Sequence, residues 1–164
     1  MFLRIENISK RKLIGLSIED SLKQNEIVNV WKKFIPLSKD IPENVKGQFC
    51  SLSIYASVNF MNDFSNQTKF KRGAFVEVND LNYTHNKLET FFAEGLFAVF
   101  LHKGLPSEGE KTFRFIFEQW LIESEYEWAL PYHFERLPLN YNPNNPESEE
   151  EIWLPIKLKF VLHK

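Results

Sequence analysis

The 164-residue sequence holds one cysteine, Cys50, and little else that could act as a covalent or metal staple. A lone thiol excludes an internal disulfide, and without a second thiol or a closely spaced histidine there is no structural zinc site, which fits a reducing cytoplasm. Positive charge is not in excess either. Twenty Lys and Arg against 22 Asp and Glu give a net charge of -2, leaving no global field to attract a nucleic-acid backbone, so direct DNA binding is not expected. No segment approaches the roughly 18 apolar residues of a membrane span, and the opening Met1-Phe2-Leu3-Arg4-Ile5-Glu6 carries charge too early for a secretory signal. The expectation is a soluble, cytoplasmic protein with no membrane partner.

Catalytic and cofactor motifs are also missing. There is no Gly-x-Ser-x-Gly elbow and no Gly-x-Gly-x-x-Gly turn. His85, His102, His133 and His163 include no pair at helical metal spacing, so no metal or other cofactor is expected. The stretch Gly104 to Thr112 imitates a phosphate loop, but Glu110 stands between Gly109 and Lys111 and aims a carboxylate where phosphate would sit. Cys50 alternates with apolar residues and is read as a small buried hydrophobe.

What is present is aromatic. Sixteen Phe carry most of a 15% aromatic content within 43% hydrophobic residues, enough for one domain with a full core. Phe113, Ile116, Phe117, Trp120 and Leu121 recur at helical spacing, with Ser107 and Glu110 as a capping box. An earlier helix buries Ile27, Val30, Trp31 and Phe34, is capped by Ser21 and Gln24, and stops at Pro36. Cys50, Leu52, Ile54, Ala56 and Val58 alternate with Phe49, Ser51, Ser53, Tyr55 and Ser57 as the two faces of a strand. Ile152, Leu154, Ile156, Leu158 and Phe160 form one face of another, with Trp153, Pro155, Lys157 and Lys159 opposite. Further strands are expected at 74–78, 96–102 and 132–137.

Gly15, Ile27, Val28 and Trp31 have the same relative spacing as Gly104, Ile116, Phe117 and Trp120. The expected fold is therefore α+β, a single domain over 1–164 made of two strand-helix-strand-strand halves. Half 1 covers about 1–80, a connector about 81–94 and half 2 about 95–164, with a pseudo-two-fold axis that places Trp31 on Trp120. The acidic run Glu147 to Glu151 is read as a solvated loop end.

The second half carries an ordered set of features: Ala98-Val99-Phe100 on a strand ending in Lys103-Gly104, Trp120-Leu121 with Ser124 and Tyr126 at the helix end, Phe134-Glu135, then an acidic turn before Ile152-Trp153-Leu154-Pro155-Ile156-Lys157. In the first half, Arg11-Lys12-Leu13-Ile14-Gly15, Trp31 and the strand Ala74 to Val78 agree more loosely. The succession resembles the gyrase-inhibitor-like, or AraC-type effector-binding, domain family, although Ile122 replaces the proline usual after Trp-Leu. The resemblance implies a ligand cleft between two halves and small, flat, apolar, often cationic molecules as ligands. It also implies that Glu135 lies in the cleft, with Trp153, Tyr55 and Phe100 as candidate wall residues. A carboxylate among aromatic rings loses hydration, and a flat cation supplies the missing partner charge.

Beside these readings stand plainer ones: Glu135 as a solvated strand residue, Trp31 and Trp120 as core, Trp153 as a cap on exposed sheet, and Tyr55 facing solvent. The leading functional expectation is a stand-alone small-molecule-binding protein, since the two halves use the whole sequence and leave no helix-turn-helix segment. A hydrolase of reactive cyclopropane-bearing compounds, using Glu135 and Tyr55, and a gyrase-inhibitor-like protein-interaction module remain alternatives.

Overall fold

The computed structural model describes residues 1–42 and 45–160; His163 lies outside them. The strands are β1 (Phe2–Asp20), β2 (Val45–Ile54), β3 (Phe70–Val78), β4 (Glu89–Lys103), β5 (Tyr126–Trp128), β6 (Tyr132–Leu137) and β7 (Glu149–Leu158). Helix α1 (Ile27–Ser38) follows β1. A second helical run follows β4, made of a 3-10 turn (Pro106–Glu108), α2 (Gly109–Arg114), a π-helical stretch (Phe115–Trp120) and α3 (Leu121–Glu123). The order strand, helix, strand, strand thus occurs over Phe2–Val78 and again, with the short β5 added, over Glu89–Leu158.

The strands pair in the order β4-β1-β3-β2-β6-β7, and β4 pairs with β7 as well, so the sheet closes into an antiparallel barrel with β5 appended to the end of β7. Closure demands curvature, and β1 supplies it through register shifts between Phe2 and Arg4 and between Ile8 and Arg11. Gly95, opposite Ile8 at the second shift, has φ 103°, a conformation that disfavours any side chain. Gly15 pairs with Phe75, and a Cβ there would lie 2.0 Å from the Ala74 carbonyl oxygen.

Alternation along the strands then creates an inside and two covered outer faces. Inside lie Leu13, Cys50, Leu52, Phe75, Phe97, Val99, Tyr132, Phe134 and Trp153. Helix α1 covers one outer face with Val30 and Phe34 on Ile14, Ala74, Val76 and Val78. The second helical run covers the other, with Ile116 on Ala98, Phe100, Ile152 and Leu154. Both expected apolar stripes do pack inward: Trp31 is partly buried edge-on to Phe34 and Phe49, and Trp120 meets Phe100 edge-on. Cys50 is fully buried, which pushes its thiol up to about 12.

Several expectations are corrected. Pro36 lies inside α1, exposed in the last turn, where its missing N–H forfeits a bond only at the helix end. Ser21 Oγ accepts from the Gln24 N–H at 3.1 Å, but this closes a turn before the helix; the buried Asp20 carboxylate takes the Glu26 N–H at 3.0 Å instead. At the second helical run it is Glu108, not Glu110, whose carboxylate reaches back, accepting from the Leu105 N–H at 2.9 Å. β2 ends at Ile54, so Ala56 and Val58 are not on it, and Leu158 and Phe160 extend from β7 into solvent, Phe160 being 91% exposed. Residues Glu149 to Glu151 begin β7 and do not end a loop. Gly15 sits within β1 whereas Gly104 follows β4, and Trp31 lies in the second turn of its helix whereas Trp120 lies near the end of its own. The glycine-to-tryptophan spacing therefore does not mark equivalent places.

Phe100 is wholly buried between Phe2, Phe115 and Trp120. Its replacement by alanine is expected to destabilise the fold by about 3–5 kcal/mol in urea denaturation, while Phe160→Ala should stay within about 0.5 kcal/mol. Similar midpoints for the two variants would contradict the assignment of Phe100 to the core.

Candidate functional site

The closed sheet sorts the four residues expected to share a site. Glu135 on β6 stands opposite Ser51 of β2 and Ile152 of β7, and Ile152 stands opposite Phe100 of β4. Paired residues share a face, so Glu135, Ile152 and Phe100 form a row on the outer face beneath the second helical run. His133, opposite Ser53, faces the same way. Trp153 pairs with Phe134 and Val99 and faces the interior.

The outer row carries a hydrogen-bonded chain. Tyr55 follows β2 directly, its N–H donating to the Pro131 carbonyl oxygen at 2.7 Å, and its phenol lies 3.0 Å from His133 Nδ1. His133 Nε2 lies 3.3 Å from Glu135 Oε1. One tautomer satisfies both contacts: the phenol donates to Nδ1 and the Nε2–H donates to the carboxylate. Aromatic rings enclose the chain. Tyr55 stacks on Phe70 and on His133 and meets Phe60 and Trp128, while Phe113 of α2 lies 4.9 Å from the His133 ring. Burial, and after it the Glu135 charge, push the Tyr55 phenol well above its ordinary range.

A second carboxyl group belongs to the same face. Glu150 stands opposite His102 across β4 and β7, diagonal to Glu135. Burial first, and then the Glu135 charge, push Glu150 up to about 9. The half-buried Tyr141 is pushed up by burial and by both carboxylates. Among the described residues neither Glu135 nor Glu150 is ion-paired with a lysine or arginine, in contrast to Glu151, which holds Arg4 through both oxygens at 2.9 and 3.1 Å. His102 is occupied structurally: Thr112 Oγ1 lies 2.8 Å from Nδ1, and the Leu105 carbonyl oxygen accepts from Nε2 at 3.1 Å, tying the strand end to the helix.

Two openings lie beside this region, touching it at Tyr55 and at Tyr141, and neither is lined by Glu135 or Glu150. A groove of about 660 Å³ is lined by Tyr55, Phe70, Ile18, Ile54, Lys69 and Glu89, and a cavity of about 260 Å³ by Tyr141, Ser148, Glu149 and Asn145 among others. Glu135 itself keeps 20% of its side chain exposed.

Trp153 is neither a cleft wall nor a cap on exposed sheet, being 1% exposed inside the barrel. It stacks on Phe134 with 12° between the rings, and the guanidinium groups of Arg136, Arg4 and Arg11 lie 5.0, 5.3 and 5.7 Å from its ring centre. Glu77, 2% exposed, pairs with Arg136 and Arg11 in this charged plug. The structure thus brings together Glu135 and Tyr55, sets Phe100 beside them under the helix, and separates Trp153. It adds His133, Glu150, Tyr141 and Phe113. The His133-Phe134-Glu135 alternation is the sequence signal for the first; Glu150 is hidden in an acidic run. No group of three or more metal-ligating side chains occurs among the described residues.

The raised Glu150 makes stability depend on pH. The folded chain keeps this proton up to about 9, whereas the unfolded chain releases it near the ordinary 4.5, so folding binds protons in that window and stability falls as pH rises through it. Urea denaturation is expected to show Glu150→Gln matching the natural chain near pH 5 and exceeding it at pH 8.5. A difference that does not change with pH would contradict this.

The GyrI-like small molecule binding domain profile matches residues 1–157. Among solved structures, the EcmrR C-terminal domain superposes with a TM-score of 0.68 at 11% identity, covering 97% of this chain and 99% of that one. SAV2435 bound to tetraphenylphosphonium gives 0.67 at 14% identity, covering 96% and 94%. EcmrR in its DNA complex gives 0.64 at 12% identity over 95% of this chain, which spans 57% of the length of that one. By sequence none of the curated proteins matches. No helix among the described residues is long and apolar enough to cross a membrane. Identities this low establish the fold, and it is the profile, matched over almost the whole length, that establishes kinship: the chain belongs to the GyrI-like small molecule binding domain family.

Proposed function

We propose that the chain binds a flat, cationic small molecule between the outer barrel face and the second helical run, with Glu135 as its anchor. The observation that carries this reading is a pair of half-buried carboxyl groups, Glu135 held through His133 to the ring cluster around Tyr55 and Glu150 near Tyr141, without a lysine or arginine partner among the described residues. A carboxylate in such surroundings has lost much of its hydration, and a cation that itself prefers apolar contact restores its partner. Tyr55, Phe70 and Phe113 offer ring faces, each contributing about 0.5–2 kcal/mol to a desolvated cation. SAV2435, of the same fold, was solved with tetraphenylphosphonium bound, a cation that is not flat but presents its charge behind aromatic rings.

On this reading the domain is a duplication, since the pairing β1-β3-β2 is repeated by β4-β7-β6, and the halves join through β1 with β4 and β2 with β6. The protein is cytoplasmic, works by sensing in trans or by sequestration, and with a net charge of -2 does not itself bind DNA. A second reading, hydrolysis of a reactive cyclopropane-bearing compound, is favoured by one observation, the Tyr55-His133-Glu135 chain, which could orient a water and carry its proton.

Tetraphenylphosphonium is expected to quench tryptophan fluorescence saturably. Glu135→Gln, which keeps shape and loses charge, should weaken it tenfold or more while leaving neutral triphenylphosphine oxide unaffected. Equal affinity of both proteins for the cation would place Glu135 outside the site. Incubation with a cyclopropane-bearing electrophile, followed by mass spectrometry, separates the two readings, because binding alone yields no product.

A further inference from the structure

Glu150 is unused by a site anchored on Glu135 alone. It lies on the face that the proposed ligand would meet, and the groups around it supply no compensating charge. From β4 it faces His102, whose two ring nitrogens are engaged by Thr112 and the Leu105 carbonyl, and beyond it Lys103, which is paired with Glu147 at 2.7 Å. From β6 come Glu135 and, bonded to it, His133, which Tyr55 holds from the end of β2. Tyr141 approaches from the loop before β7 and feels both carboxyl groups. On β7 itself Glu149 is exposed and Glu151 is committed to Arg4. The charged groups of α2 point to solvent, Arg114 being paired with Glu110 and Lys111 exposed. Two diagonal carboxyl groups on neighbouring strands therefore share one poorly hydrated space.

We propose, resting on the cation-binding reading, that Glu135 and Glu150 form one proton-sharing pair and that a cation docking beside Glu135 expels the proton held by Glu150. The step balances: the cation enters, the Glu150 O–H bond breaks, its electron pair stays on the carboxylate, and the proton passes to solvent. The complex then sets two carboxylates against the ligand charge. Like-charged carboxyl groups resist ionising together, and a positive charge between them removes that resistance. The burial of Glu150 agrees with this, holding its proton well above the ordinary carboxyl range in the empty site.

Tetraphenylphosphonium is a suitable probe because its charge does not titrate. Calorimetry between pH 6 and 9, in buffers of different ionisation enthalpy, should show affinity rising with pH by up to tenfold per unit, with up to one proton released per cation. Glu150→Gln should bind with no such slope and no release. A flat pH profile in the natural chain, or equal release by both proteins, would overturn the proposal. Carboxyl carbon NMR of the ligand-free protein distinguishes a failure of the pair from a failure of cation binding. Glu150 titrating above neutrality, and moving down in Glu135→Gln, supports the pair even if the phosphonium does not bind. Titration of Glu150 in the ordinary glutamate range overturns it whether or not the phosphonium binds.

Discussion

The pairing of β4 with β7 is the constraint on which the rest of the structure depends. Without it the six strands would form an open sheet with two equivalent faces. With it, one face becomes an interior filled by apolar side chains and closed at one end by charged ones, and the other a surface that helices must cover. Every later assignment follows from that division, because adjacent residues on a strand fall on opposite sides of it. Phe134 and Trp153 go to the interior; Glu135 and Ile152, each one residue away, go to the helix side. Arginines and glutamates that cannot avoid the barrel end neutralise one another around Trp153.

The helix side is built differently. Its aliphatic and aromatic part, around Phe100, Ile116 and Leu154, is closed and dry. Next to it, on β6 and β7, stand Glu135, His133 and Glu150, on the face covered by a helical run that changes from 3-10 to α to π geometry within 15 residues, Pro106 to Trp120. Short π-helical stretches occur often near functional sites. Elsewhere the fold pairs its buried and half-buried carboxylates with arginine, as at Asp20 with Arg72 and Glu151 with Arg4. At Glu135 and Glu150 it does not, and the proposed cation site rests on that difference.

Much of this was legible in the sequence. Period-two alternation at 49–54 and period-three-and-four spacing in both helices depend only on neighbours along the chain, and both correctly named the inward residues. What decides the site is not local. Whether Trp153 faces a cleft or a core depends on closure between strands some fifty residues apart, and no pattern around Trp153 encodes it. Glu150 looks like one more charge among the four glutamates of 147–151, because its neighbours His102 and Glu135 are brought in by register and Tyr141 by the preceding loop. The glycine-to-tryptophan spacing suggested two halves, but it marks a mid-strand contact in one place and a strand end in the other. The proposed duplication rests instead on the pattern of strand pairing.

The account turns on which face of the barrel holds the ligand. A crystal structure of the chain with tetraphenylphosphonium measures this directly. It is expected to show the phosphonium on the outer face, its centre within about 6 Å of the Glu135 carboxylate and its phenyl groups against Tyr55 and Phe113. A phosphonium seated inside the barrel against Trp153, or bound at a site remote from Glu135, would contradict it.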